Sequence, residues 1–167
     1  DYMKALRASS SQDMMPIPLI RKVLDDFGKT AAIEIRLAVV GAERTVPAGI
    51  AHTLQRITQE ALTNVTRHAN ASEVTVTLTF KEHGVELTIE DNGAGFQVEG
   101  VIDKAYTEGR FGILGMRERC DGLGGTFKVE GKPGRGTKVS VWLPSARLSS
   151  PDCKGSESDT GPRRSEW

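Results

Sequence analysis

The segment Arg56-Ile57-Thr58-Gln59-Glu60-Ala61-Leu62-Thr63-Asn64-Val65-Thr66-Arg67-His68-Ala69 reads as the C-terminal part of a helix that begins near Pro47. At about 100° per residue, its apolar side chains gather on one arc: Ile50, Leu54, Ile57, Ala61, Leu62, Val65 and Ala69. Glu60, Asn64 and His68 recur at every fourth position and form a polar stripe beside that arc, with Arg67 on the same side as Glu60. Asn is a poor helix former, because its amide competes for backbone hydrogen bonds. Two readings of Asn64 stand open. One is a satisfied surface amide. The other is a hard oxygen ligand for Mg2+, with the acid and the basic groups arranged around a polyphosphate.

Upstream of this helix, residues 16–29 predict a shorter one. Pro16 and Pro18 suit a first turn, Ile20, Val23, Leu24 and Phe27 give an apolar face, and Gly28 weakens the end. Residues 33–40 alternate and then turn wholly apolar, which predicts a strand closed by Gly41. Thr45 is a fair N-cap for the long helix, with Pro47 in its first turn.

Downstream, Val74, Val76, Leu78 and Phe80 alternate with threonines, and Val85, Leu87 and Ile89 repeat the pattern beyond His83-Gly84. Two such runs around a short turn predict a β-hairpin. Near the C-terminal side, residues 126–130 and 137–143 predict strands joined by the turn at 132–136.

Three glycine clusters punctuate the rest. Asp91-Asn92-Gly93-Ala94-Gly95-Phe96 admits a hairpin turn, since Asn-Gly is a turn signal. It equally admits a purine pocket, with a carboxylate accepting from an exocyclic amino group and glycines letting a flat base near the backbone. Gly112-x-x-Gly115, followed by a short helix to about Arg119 with Gly124-Gly125 as its stop, is either loop punctuation or a presentation of backbone N–H groups to phosphate. Gly131-Lys132-Pro133-Gly134-Arg135-Gly136-Thr137-Lys138 fails the P-loop spacing and leads into a strand instead of a helix.

Composition narrows the partners. In 167 residues, Lys+Arg and Asp+Glu balance at 22 each, so no field of one sign draws nucleic acid or an anionic membrane. Cys120 and Cys153 stand far apart, without the spacing of a zinc site, which fits a reducing, cytoplasmic setting. No apolar run approaches the roughly 18 residues of a membrane span, so this stretch is not expected to insert in a membrane. A start at Asp1 is expected of a fragment, whose parent is free to be membrane-anchored. Residues 1–15 read as the end of a preceding helix and a linker, 16–147 as the folded domain, and 148–167 as a disordered tail.

Taken in order, the acid–Asn helix, Asp91-x-Gly93-x-Gly95, Gly112-x-x-Gly115 and Gly134-x-Gly136-Thr137 resemble the N, G1, G2 and G3 boxes of the GHKL ATPases, among them sensor histidine kinases and gyrase. The wording Gln59-Glu60-Ala61-Leu62-Thr63-Asn64-Val65 and Gly115-Met116-Arg117-Glu118-Arg119 looks like the kinases that pair with NarL/LuxR-type response regulators. The resemblance covers roughly residues 16–145.

It implies an α+β fold of the Bergerat type: a two-layer α/β sandwich, with a mixed, mostly antiparallel sheet covered on one face by helices. It also implies ATP and Mg2+. By the resemblance, Asn64 holds Mg2+, Glu60 is the catalytic acid that organises metal or water, and Arg67 and His68 approach the phosphates. Asp91 takes the adenine amino group, and Gly93 and Gly95 make room for the base. Phe96, Gly112, Ile113, Leu114 and Gly115 frame the lid, and Gly136 and Thr137 close the base end. Phe111 departs from the His that many relatives carry there, so no polar phosphate contact is expected from it.

His52, His68 and His83 have no dimerisation helix around them, so the phosphoacceptor domain is expected outside this chain. The implied function is a kinase that transfers the γ-phosphate of ATP to that His and on to a response regulator. A GHKL serine kinase of the anti-sigma type and a non-catalytic nucleotide sensor are the rival readings.

Overall fold

The computed structural model describes residues 12–95 and 111–145. Expectations for residues 1–11, Phe96, the lid up to residue 110 and the tail beyond residue 145 lie outside them.

The chain opens with a two-residue strand β1 (Asp13–Met14) and helix α1 (Pro16–Gly28), which has Pro in its first turn. Strands β2 (Glu34–Val40) and β3 (Val46–Pro47) precede helix α2 (Ala48–Asn64). A π-helical turn, Val65–Ala69, prolongs α2 and ends at Asn70, which has a positive φ of 48°. Strands β4 (Glu73–Lys81) and β5 (Gly84–Asp91), helix α3 (Phe111–Asp121), and strands β6 (Thr126–Gly131) and β7 (Thr137–Pro144) complete the set.

The main sheet has the order β2-β4-β5-β7-β6. Only the β2–β4 pair is parallel, as a crossover through α2 requires; the other neighbours are antiparallel. The alternation along the hairpin decides the faces. Val74, Val76, Leu78 and Phe80 are buried under the helices, while Thr75, Thr77 and Thr79 stay half-buried on the opposite face. All seven residues of the apolar arc, which runs along α2 into the π turn, are buried. Thr58 joins them unforeseen; its hydroxyl donates to the Leu54 carbonyl at 2.8 Å, which satisfies its polar atom inside the core. This is the expected two-layer sandwich with a mixed, mostly antiparallel sheet.

Local departures have physical causes. Residues 13–14 are not linker: they pair with Val46 and Pro47, and the Gln12 carbonyl accepts from the Ala48 N–H at 3.1 Å. That pairing holds Pro47 extended at ψ 139°, so the helix begins at Ala48 and Thr45 is not its cap. Arg44 fixes the same segment by lying over the Phe80 ring and donating to the carbonyls of Lys81 and Gly84. The wholly apolar end of β2 is exposed, with Val40 at 50%, because β2 is an edge strand. Beyond Asn64 the α-helix gives way to the π turn. The Thr63 and Thr66 hydroxyls bond carbonyls of the preceding turn there, at 2.9 Å each, and such competition loosens a helix end.

Cys120 lies fully buried in the last turn of α3, and burial pushes its thiol up to about 11. Its alkylation by iodoacetamide at pH 8 is expected to run roughly 100-fold slower in the folded protein than in urea, followed by mass spectrometry of the Cys120 peptide. Equal rates in the two states would contradict the burial.

Candidate functional site

The end of α2 and the C-terminal end of β5 face each other across a cavity of about 610 Å3, an ordinary size for a small-molecule site. Glu60 and Asn64 enter it from the last turns of α2, and Arg67 and His68 from the π turn. From the sheet come Asp91 and Thr137, and from α3 Gly112 and Ile113; Gly95 completes the predicted residues in the lining. Both basic side chains stay exposed, and π turns recur at functional sites because they re-aim side chains at a helix end.

Glu60 sits against the first turn of α3. A Cβ on Gly112 would fall 2.2 Å from its Oε1, so only glycine lets the carboxylate come this close. The helix dipole favours an acid at that position. Gly112 and Gly115 are both inside α3, not in a loop before it. Leu114, Gly115, Gly93 and Gly136 are absent from the cavity lining.

Asp91 is 7% exposed and accepts a 2.8 Å hydrogen bond from the Gly93 N–H at Oδ1. Burial holds its carboxyl above the usual carboxylate value, and the Gly93 and Thr137 N–H groups oppose that rise. A buried carboxylate with part of its acceptor capacity turned to a cavity suits an amino group on a ligand.

The glycines after Asp91 have a different cause from the one expected. A Cβ on Gly93 would meet the Ala69 carbonyl oxygen at 2.3 Å, and one on Gly95 the Lys132 carbonyl oxygen at 2.1 Å. These residues clear space for the protein's own backbone, where loop, π turn and β6–β7 turn converge. The Ala94 N–H donates to Ala69 and the Gly134 N–H to Ala94, at 2.6 Å each. Asn92-Gly93 is therefore no hairpin turn.

Sequence reasoning missed the apolar walls. Ala61, Val65, Ile89, Met116, Val129 and Val139 line the same cavity. Their signal in the sequence is that of core residues on strands and helices, and most are in fact buried. Together they form the apolar part of a lining that also holds Asp91 and the charged and amide groups.

Among the described residues no helix is long and apolar enough to cross a membrane. The structure is similar to the histidine kinase domain of a blue-light-activated histidine kinase from Erythrobacter litoralis, with a TM-score of 0.64 at 23% identity, over 82% of this chain and 64% of that one. In sequence, the chain is 42% identical over 99 residues to the sensor protein VraS of Staphylococcus aureus, covering 59% of this chain and 27% of the relative. It is 36% identical over 125 residues to the sensor histidine kinase LiaS of Bacillus subtilis, covering 75% of this chain and 33% of the relative. The chain thus spans about a quarter to a third of the length of these relatives. Residues 49–147 match the model of the histidine kinase-, DNA gyrase B- and HSP90-like ATPases, a stretch that contains all of the cavity residues. With four ordered sequence boxes, the two-layer sandwich and this match in agreement, the chain belongs to that ATPase family and carries its ATP-binding domain.

Proposed function

We propose that this domain binds Mg-ATP and donates the γ-phosphate to a His on a dimerisation domain outside this chain, from which it passes to an Asp of a NarL/LuxR-type response regulator. The observation that carries the reading is that Asn64 and Asp91 line one cavity from opposite elements. The apolar walls flank the adenine, and the Asp91 carboxylate accepts from its amino group. Arg67 and His68 meet the phosphates.

Asn64 and Glu60 offer hard oxygen donors at the phosphate end. So small a donor set suits Mg2+, which keeps several waters and takes its remaining ligands from the nucleotide. The ion supplies neutralisation of the charge that develops on the phosphates. Glu60 orders a water or the metal shell from its place on α2, against α3. Phosphoryl transfer asks for positioning and charge neutralisation above all; this domain supplies those, and the acceptor imidazole and the base that activates it come from the dimerisation domain.

The test mixes this domain with the separately made dimerisation domain of its parent kinase and labelled ATP. Acid-labile label on the histidine is expected. Acid-stable label on serine, or none despite proven nucleotide binding, would overturn the histidine kinase reading. In the same preparation Asn64→Ala is expected to weaken the Mg-dependent part of ATP affinity by about 10- to 100-fold by calorimetry. An unchanged Mg dependence would remove Asn64 from the metal site.

A further inference from the structure

The residue between Asp91 and Gly93 does not line the cavity, yet its side chain makes three hydrogen bonds. Asn92 Oδ1 accepts from the Ser72 N–H and the Glu73 N–H, at 3.0 Å each, and Nδ2 donates to Ser72 Oγ at 2.9 Å. Its own N–H donates to the Glu73 carbonyl at 3.2 Å. The β4–β5 ladder ends at the pair Val74–Asp91. One residue further on, the Asn92 amide takes over the role of a backbone strand partner for the start of β4. This lets the main chain leave the sheet at once and cross to Ala69. Gly93, whose N–H orients the Asp91 carboxylate, is thereby held on both sides: by Asn92 before it and by the Ala94–Ala69 bond after it.

We propose that Asn92 is a positioning residue for base recognition: it fixes the chain after Asp91 so that the carboxylate is aimed at the amino group of the adenine. The proposal rests on the reading of Asp91 given above. Asn92 is exposed, so its truncation opens no core, and it touches no part of the cavity. A carboxylate freed from this frame keeps its charge but loses its direction, and a hydrogen bond weakens steeply with misalignment.

The experiment measures the Kd of the wild-type domain, Asn92→Ala and Asn92→Asp for two probes, ATP and purine riboside triphosphate, which lacks the amino group. Wild type is expected to prefer ATP by about tenfold or more, the worth of one hydrogen bond to a charged acceptor. Asn92→Ala is expected to cut that preference about fivefold, by weakening ATP and leaving the analogue within about twofold. Asn92→Asp is expected to restore it, because a carboxylate oxygen still accepts both N–H groups while the Ser72 hydroxyl turns to donate. Equal weakening of both probes by Asn92→Ala, or no change in either, overturns the positioning role. No preference in the wild type instead removes Asp91 as the amino-group acceptor, and the role of Asn92 falls with it.

Discussion

Gly136→Ala is expected to lower the melting temperature by about 10–25 °C, the effect of about 3–5 kcal/mol in a domain of this size. Two costs combine. Gly136 has a φ of 75°, a conformation that side-chain-bearing residues adopt only with strain. A Cβ there would also fall 1.9 Å from the Asp91 carbonyl oxygen and 2.8 Å from its carbon, both backbone atoms that cannot rotate away. Relief requires the β6–β7 turn to separate from the end of β5, which breaks up the seat of Asp91 and Thr137. Gly134→Ala is the control. Its φ of 76° is the same, but a Cβ there meets nothing within 4 Å, so only the conformational cost of about 1 kcal/mol applies. Differential scanning calorimetry of the pair separates strain from collision. Equal shifts in the two variants would mean that the close approach to Asp91 carries no energy.

That contrast shows where sequence reasoning runs out. The long helix, its buried arc, the hairpin and the final two strands were legible, because each rests on periodicity, and periodicity is what burial on one face imposes. Glu60, Asn64 and Asp91 drew notice because polar groups at the border of a core run need a reason; the residues alone left Asn64 and Asp91 open to a bland reading, and the structure sets all three in the lining of one cavity. The physical role of the glycines was not. Spacing identifies Gly93, Gly95 and Gly136 as special, but only coordinates reveal that carbonyl oxygens of Ala69, Lys132 and Asp91 stand where their side chains would go. Long-range backbone convergence leaves no local signature.

The same limit hid the π turn and the pairing of residues 13–14 with 46–47. Both depend on partners distant in sequence or on competition among hydroxyls whose outcome propensity does not settle. The apolar walls were invisible for the opposite reason. Ile89 and Val139 obey the strand pattern so well that nothing marks them off from the core they adjoin.

Asp91→Asn is expected to reduce ATP affinity by about 10- to 100-fold while the unliganded domain becomes more stable at pH 8. The Gly93 N–H keeps the amide oxygen where Oδ1 now stands, which leaves the new NH2 at the other position. Facing the adenine amino group, a donor then meets a donor, and the bond is lost. Stability moves the other way. Burial raises the Asp91 carboxyl above its ordinary value in the folded state, so the folded protein binds this proton more tightly than the unfolded chain does. Its contribution to stability is therefore largest in acid and is lost as the pH rises through the folded value. The amide has no such charge to bury. The gain in melting temperature is thus expected at pH 8, shrinks as the pH falls through the raised folded value, and is gone below about 4, where the carboxyl is protonated in both states. Asp91→Ala gives the counter-case: it strands the Gly93 and Thr137 N–H groups without an acceptor, at about 1–3 kcal/mol, and destabilises at either pH. Thermal melts of the three proteins at the two pH values, with calorimetric titration of ATP alongside, decide the matter. An Asn variant that binds ATP like the wild type would remove the Asp91 carboxylate as the recognition element, and one that melts lower at pH 8 would show that its charge is no burden on the fold.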